Sequence, residues 1–281
     1  MAHTLAPALT RLTANIGVEV HGLDLGRELG RGLDDQVIGL LRTAVAEHHM
    51  VVLRDQHLSA DEHAAVALAF GQIVPSPVQM VTGERTVTVS TIEDTASRPP
   101  AGFPWHTDLS WTARPPAFGF LSAVTIPEFG GDTIWASTAA TYDALPRDAR
   151  QVCERSTLLH APDPSLLASV ERHHGTKVAQ RLRRDHPGVT HPLVAMHPIT
   201  GRRSLYLSPL YAREIVGPLG IDDGRLLNGL NSMLGDPHVQ VRWRWSEGDF
   251  VIWDETSTCH RALTDHHPQR RVMRRCVTAA Q

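Results

Sequence analysis

The stretch Trp105-His106-Thr107-Asp108 places an imidazole and a carboxylate two residues apart. On a β-strand the two side chains would share one face, because side chains alternate with a period of two. A further histidine, His260, could complete a set of two imidazoles and one carboxylate. This set suits a non-haem Fe(II) ion that keeps open coordination positions. The alternative is an Asp108 that caps a turn beside an ordinary packed histidine, since seventeen histidines make one chance match expected.

Two arginines follow His260, at Arg271 and Arg275. Four positions apart, they would lie on the same face of a strand. A metal beside two buried cations would suit an anionic co-substrate and an anionic substrate. The alternative is a solvated basic edge strand, against which the alternation with Val272 and Met273 argues; since neither face is purely apolar, the pattern alone does not say which arginine is buried.

With 42% hydrophobic and 20% charged residues, the chain is globular and long enough for one large core or two modest ones. Because no linker separates domains, we expect a single domain over residues 1–281. A formal net charge of −3 provides no basic field for nucleic acid or a membrane surface. Cys153, Cys259 and Cys276 form no disulfide or zinc-ribbon pattern, which fits a reducing compartment. We find neither an apolar run of about 20 residues nor a signal-peptide pattern. These features predict a cytoplasmic protein.

The N-terminal part is typical of alternating strands and helices. Strands are predicted at 16–20 and 50–54, and apolar residues at helical spacing predict an amphipathic helix over 37–45. Ser59-Ala60-Asp61-Glu62 has the pattern of a capping box. The helix that it opens is expected to end at Gly71, as a left-handed residue.

From about residue 86, short strands alternate with turns rich in proline and glycine. The predicted strands are 86–90, 118–125, 133–135, 205–207, 239–245, 249–253 and 271–278. Helices are predicted at 139–153 and near 222–234, and 163–187 form a partly helical insert over the sheet. Many short strands at this spacing indicate a sandwich or jelly roll.

Several segments together resemble the taurine dioxygenase family of Fe(II)- and 2-oxoglutarate-dependent dioxygenases, which includes alkylsulfatases and phenoxyalkanoate-degrading enzymes. The matching segments are Phe70-Gly71, residues 105–108, Gly130-Gly131-Asp132-Thr133-Ile134-Trp135, Val241-Arg242-Trp243-Arg244-Trp245, Trp253-Asp254, His260 and residues 268–275. Their order and spacing are specific. The resemblance implies a mixed α+β fold, with a double-stranded β-helix (jelly roll) core and flanking helices.

The resemblance also implies residue roles. Arg271 and Thr133 match the residues that hold the distal carboxylate of 2-oxoglutarate, and Arg275 matches the arginine that binds the substrate's sulfonate, sulfate or carboxylate. A planar guanidinium suits such anions because it can donate two parallel hydrogen bonds. The expected cofactor is Fe(II), with 2-oxoglutarate and O2 as co-substrates. The residues that match its ligands are His106, Asp108 and His260.

The chain departs from the taurine enzymes at residues expected to contact substrate. Ser76 and Gln79 stand where those enzymes have a histidine and a tyrosine, and Leu109 is expected in the same pocket wall. We therefore expect a substrate without a free amine: an alkyl sulfate, a longer sulfonate or an aryloxy acid. The expected reaction is hydroxylation at the carbon next to the heteroatom, with release of succinate and CO2. Glu255 replaces a more usual asparagine and has no explanation at this level.

Other interpretations remain open from the sequence. A non-catalytic sensor of the same fold would bind metal and 2-oxoglutarate without releasing succinate. A zinc hydrolase could also use two histidines and a carboxylate, although it has no need for the oxoacid-binding pattern at Arg271. The family resemblance further implies a homo-oligomer, either a dimer or a tetramer.

Overall fold

The computed structural model describes residues 7–83, 89–217 and 223–280. Within these ranges the strands are β1 (Ala8–Arg11), β2 (Val18–His21), β3 (Met50–Leu53), β4 (Ser90–Asp94), β5 (Phe118–Thr125), β6 (Thr133–Ser137), β7 (Thr157–His160), β8 (Val189–Pro192), β9 (Val194–Met196), β10 (Arg203–Leu205), β11 (Ala212–Val216), β12 (Gln240–Trp243), β13 (Phe250–Asp254), β14 (Thr258–Ala262) and β15 (Arg271–Thr278). The helices are α1 (Leu25–Gly30), α2 (Asp35–His48), α3 (Ala60–Phe70), α4 (Pro77–Thr82), α5 (Thr138–Asp143), α6 (Arg147–Cys153), α7 (Pro164–His174), α8 (Thr176–Asp185) and α9 (Asp223–Met233).

Two sheets form the jelly-roll core that was predicted. The larger sheet has the order β1-β2-β3-β13-β5-β15-β4, and the smaller has the order β12-β6-β14. Side chains from both sheets meet in one apolar cluster, where the rings of Trp135 and Trp253 lie 5.7 Å apart. The smaller sheet carries His260 on β14, and the larger carries both predicted anion-binding arginines on β15. Because the two sheets pack together, these three residues line the same cavity.

Helices cover the other face of the larger sheet, where Leu41 and Phe70 pack with Phe118 and Phe250. The predicted capping box opens α3. Gly71 ends that helix as expected, but its φ of 159° is not the predicted left-handed value. Glycine is required here because the backbone of Ala279 lies close to Gly71. A Cβ at position 71 would lie 2.1 Å from the carbonyl oxygen of Ala279.

The local predictions for residues 105–108 and 139–153 differ from the structure. Residues 105–108 form a single bridge followed by a turn instead of a strand. The helix predicted over 139–153 is two helices, because Pro146 has no N–H to donate and disfavours helical geometry in Leu145. The strand predicted over 86–90 falls mainly outside the described residues, and β4 begins at Ser90.

The insert predicted over residues 163–187 forms the helices α7 and α8, joined at Gly175. Its apolar residues Val170 and Leu182 pack in a cluster with Leu109 and Tyr211. The insert therefore lies against the segment that follows His106 and Asp108 along the chain. None of the helices in the described ranges is long and apolar enough to cross a membrane.

Two buried histidines make the stability of this fold sensitive to acid. His63 and His160 each place Nδ1 2.9 Å from a serine hydroxyl, and burial lowers the pKa of each from 6.5 to about 3. Both therefore stay neutral in the folded chain, whereas the unfolded chain binds protons below about pH 6.5. Their stabilising contribution is complete above pH 6.5 and is lost as the pH falls toward 3.

We predict that the metal-free protein loses about 2 kcal/mol of unfolding free energy per buried histidine between pH 7 and pH 5. Urea unfolding at the two pH values measures this loss. The variant H63Q/H160Q, whose glutamines do not titrate, should lose correspondingly less over the same interval. An equal loss in the variant and the parent protein would contradict this assignment.

Candidate metal centre and co-substrate pocket

The structure brings His106, Asp108 and His260 together. Their ligand atoms all lie within 4.8 Å of one another. Nε2 of His106 is 3.6 Å from Oδ1 of Asp108, and Nε2 of His260 is 3.8 Å from Oδ2. Two imidazoles and one carboxylate on one side of a cavity leave the opposite side open, as a catalytic Fe(II) site requires.

A reciprocal pair of backbone hydrogen bonds holds the two histidines. The N–H of His106 donates to the carbonyl of His260 at 3.0 Å, and the N–H of His260 donates back at 2.8 Å. Between His106 and Asp108, the Thr107 hydroxyl donates to the carbonyl of Thr258 at 2.9 Å, which attaches this segment to β14. The proximity therefore comes from a single bridge and one side chain instead of the strand that the sequence predicted.

The hydrogen bonding of His106 fixes which ring nitrogen is available. Its Nδ1 lies 2.8 Å from the carbonyl oxygen of Pro104. A carbonyl oxygen only accepts, so Nδ1 carries the proton and Nε2 presents a lone pair. Nε2 is also the atom that faces Asp108. Such a second hydrogen bond commonly orients a metal-binding histidine.

The charge state of the cluster suits a cation. Burial raises the pKa of Asp108, but Arg275 and His260 outweigh it and leave that pKa below its ordinary value. Burial lowers the pKa of His260 to about 3 and also lowers that of His106. Burial and the Asp108 carboxylate raise the pKa of Glu255 well above its ordinary value. An ionised carboxylate and two neutral imidazoles are the forms that bind metal.

These three residues line a cavity of about 340 Å³. Most of the sequence-predicted site residues share it, namely His106, Asp108, Leu109, Thr133, His260, Arg271 and Arg275. Its remaining wall is largely apolar and includes Ile92, Phe103, Leu121, Leu166, Tyr211 and Leu263. The cavity therefore combines three candidate metal ligands, two arginine side chains and an apolar wall.

Arg271 lies in a nearly closed part of this cavity, with 4% of its surface exposed. Its NH1 is 4.0 Å from Oδ2 of Asp94, which is also 3.3 Å from Nε2 of His266. The Nε of Arg271 is buried and has no hydrogen-bond partner among the described residues. The Thr133 hydroxyl accepts from Nε1 of Trp245 at 3.0 Å and retains its own proton to donate. These donors fit the distal carboxylate of 2-oxoglutarate.

Arg275 is the more accessible arginine, with about a third of its side chain exposed. Its NH2 contacts Oδ2 of Asp108, and its side chain lines the cavity. A guanidinium has five N–H donors, so this contact leaves others for a second anion. The two arginines therefore differ in exposure: Arg271 is enclosed, and Arg275 lies beside the candidate ligands.

Ser76 and Gln79 have a structural role that the sequence analysis did not assign to them. Ser76 Oγ accepts from the N–H of Gln79, and Gln79 Oε1 accepts from the N–H of Ser76, which makes a capping box for α4. Pro77, between them, lines the cavity, whereas these two residues do not. The serine, followed by a proline and three positions later by a glutamine, already carried this capping signal. Both side chains therefore support a helix start, and their contact with substrate stays a prediction.

Two aromatic residues of the site had no role in the sequence-based prediction. The rings of Phe103 and Tyr211 lie 6.1 and 6.3 Å from the ring of His106, both edge-on. Phe103 precedes His106 by three residues, so its proximity could be read from the sequence. Tyr211 follows β10 in a turn, and no motif connects it to the ligands.

The jelly-roll core, the His-Asp-His cluster and the enclosed arginine together define an Fe(II)- and 2-oxoglutarate-dependent dioxygenase. The family model described as taurine catabolism dioxygenase TauD, TfdA family, matches residues 8–277. The chain belongs to this family, as predicted, and uses Fe(II), 2-oxoglutarate and O2 to oxidise an anionic substrate.

Individual relatives span nearly the whole chain. An alkylsulfatase of Acinetobacter baylyi is 33% identical over 97% of this chain and 85% of its own length. An alpha-ketoglutarate-dependent sulfate ester dioxygenase of Pseudomonas putida is 29% identical over 99% of this chain and 91% of its own. Among solved structures, a taurine dioxygenase from Burkholderia xenovorans has a TM-score of 0.78 at 29% identity and covers 98% of this chain and 91% of its own.

We predict that D108A abolishes binding of Fe(II) by the metal-free protein and reduces succinate formation from 2-oxoglutarate by at least about 100-fold, because two imidazoles alone hold the ion weakly. Anaerobic calorimetry with Fe(II) and a succinate assay measure the two effects. Thermal unfolding of the metal-free variant provides the control for folding. A folded D108A protein with full succinate formation would refute the ligand assignment.

Proposed function

We propose that this enzyme hydroxylates a small organic anion with an apolar tail, above all an alkyl sulfate, at the carbon next to the ester oxygen. The observation that carries this proposal is the position of Arg275, a cavity-lining cation in contact with Asp108. The names of the alkylsulfatase and sulfate ester dioxygenase relatives support the same substrate class. The proposal takes residues 1–281 as one catalytic domain.

His106, Asp108 and His260 would hold Fe(II), and Arg271 with Thr133 would hold the distal carboxylate of 2-oxoglutarate. When bound, the iron supplies the oxidative chemistry that converts 2-oxoglutarate and O2 to succinate and CO2 and hydroxylates the substrate. The protein orients the reactants around it. The enclosure of Arg271 supports this division of roles, because a charge-assisted hydrogen bond is strongest where water is excluded.

Arg275 would bind the charged head group of the substrate. A sulfate ester offers oxygens that match the planar guanidinium. Since Arg275 contacts Asp108, an anion on its free N–H groups lies next to the metal site, and so does the carbon that bears the ester oxygen. Hydroxylation of that carbon gives an unstable product, which separates into an aldehyde and sulfate.

The apolar wall of the cavity would take the tail. Leu109, Leu166 and Leu263, together with Phe103, provide aliphatic and aromatic contacts. Each buried methylene contributes about 0.8 kcal/mol to binding in such surroundings. Two acids line the described cavity, Asp94 and Asp108, and each lies near an arginine. This arrangement disfavours binding of a positively charged amine group of a substrate. A tail of several carbons therefore fits better than the short, amine-bearing chain of taurine.

We further propose that the protein acts as a homo-oligomer, a dimer or a tetramer, in the cytoplasm, apart from membranes and nucleic acids. Its three cysteines are all free and buried, which supports a reducing compartment. Sedimentation equilibrium of the purified protein tests the oligomeric state.

We predict that R275A raises the KM for an alkyl sulfate by about 10- to 100-fold, because one or two charge-assisted hydrogen bonds are lost. The KM for 2-oxoglutarate should change less than twofold. R271A should have the opposite pattern. Both constants come from succinate formation with one reactant varied at a time. Arg270 is exposed and pairs with Glu93 outside the cavity, so R270A is the matched control. Equal increases in both constants for R275A would mean that the two roles are wrongly assigned.

We predict that kcat/KM for linear alkyl sulfates rises about fourfold with each added methylene until the tail fills the wall. A series of increasing chain length, followed by succinate release, measures this trend. Taurine serves as the short control and should give little turnover. A flat series, or a preference for taurine, would exclude the apolar wall as the tail site.

A further inference from the structure

Glu255 follows β13 and has 1% of its surface exposed. Both oxygens of its carboxyl group accept hydrogen bonds from buried donors. Oε2 accepts from the backbone N–H of Asp108 at 2.9 Å, and Oε1 accepts from the indole Nε1 of Trp253 at 2.9 Å. One side chain therefore joins the segment of one candidate metal ligand to the strand that leads into β14.

The bond to Asp108 replaces support that a sheet would normally supply. Asp108 lies in a turn, and its neighbour Leu109 has a φ of 49°, in the left-handed region. A residue in such a turn has no strand ladder to fix its orientation. The hydrogen bond from Glu255 anchors the Asp108 N–H, and the orientation of this peptide decides where the carboxylate points.

The hydrogen bond to Trp253 links Glu255 indirectly to His260, a second candidate ligand. The ring of Trp253 lies 5.1 Å from the ring of His260, and Trp135 stacks against His260 at 6.3 Å. Trp253 can occupy this place because residue 119 is glycine: a Cβ on Gly119 would lie 2.1 Å from the indole ring. Glu255 therefore contacts Asp108 directly and His260 through one intervening ring.

We propose that Glu255 is a positioning residue of the metal centre, which fixes Asp108 relative to His260 and so sets the affinity for the metal. This inference rests on the proposed ligand set. It also explains why a carboxyl group stands here, since both of its oxygens carry lone pairs that can accept from the two donors, even when the group is protonated. An asparagine or glutamine offers one, and its NH2 group would face an N–H donor.

The variant E255Q tests this role with little change of shape. Titration of the metal-free protein with Mn(II) alone should show about 10- to 100-fold weaker binding, the usual effect of losing a hydrogen bond behind a metal ligand. With Co(II) as the probe, the visible absorption of the bound ion should also shift, because the ligand geometry changes. Neither readout requires turnover.

Asp249 provides a control outside the cavity. Its Oδ2 also accepts from an indole, Nε1 of Trp243 at 3.0 Å, and from a backbone N–H, that of Ser246 at 2.9 Å, and it pairs in addition with Arg54 at 2.8 Å. D249N should lower the Tm as E255Q does and leave the Mn(II) affinity within twofold. E255Q with parental Mn(II) affinity, or an equal loss in D249N, would overturn the inference.

The D108A variant separates this inference from the proposed site. If D108A still binds Mn(II) fully, the ligand set itself is wrong and the role of Glu255 falls with it. If D108A loses Mn(II) binding and E255Q keeps it, the ligand set stands and only the positioning role fails.

Discussion

The reciprocal backbone hydrogen bonds between His106 and His260 are the constraint on which the rest of the site depends. They join a turn segment in the middle of the chain to a strand of the smaller sheet, 154 positions later in the sequence. Asp108 adds a carboxylate beside this pair of imidazoles, with one oxygen 3.6 Å from His106 and the other 3.8 Å from His260. The Thr107 hydroxyl, bonded to β14, keeps that carboxylate on the same side as the rings.

The two sheets then distribute the chemistry between them. The smaller sheet carries Thr133 and His260, and the larger carries Arg271 and Arg275 on β15. Apolar packing of tryptophans between the sheets holds the distance between these groups constant. The two arginines that we propose to bind anions thus differ in exposure: Arg271 is enclosed, and Arg275 is partly exposed beside Asp108. Under the proposed roles, this difference places the dicarboxylate co-substrate and the anionic substrate on separate arginines.

The fold and most residues of the site could be predicted from the sequence, because short motifs identify the residues that carry the chemistry. Local backbone geometry could not, because it depends on contacts with residues far away in the sequence. The family resemblance gave the jelly roll and the residues that meet in the cavity. The strand predicted at residues 105–108 was wrong, since a two-residue period cannot distinguish a strand from one bridge and a turn. Ser76 and Gln79 were assigned by alignment with substrate contacts, although their own spacing with Pro77 is that of a helix start. Glu255 could not be interpreted at all, because its partners come from Asp108, far away in the sequence, and from an indole whose orientation only packing decides.

The insert formed by α7 and α8 has a consequence for how such enzymes diverge. It contributes Leu166 to the cavity but supplies none of the candidate ligands or anion-binding arginines. A change at Leu166 would therefore alter the shape of the proposed tail site and leave every candidate ligand in place. Substitutions confined to this surface hairpin therefore offer a route to a different tail preference with the same set of candidate ligands.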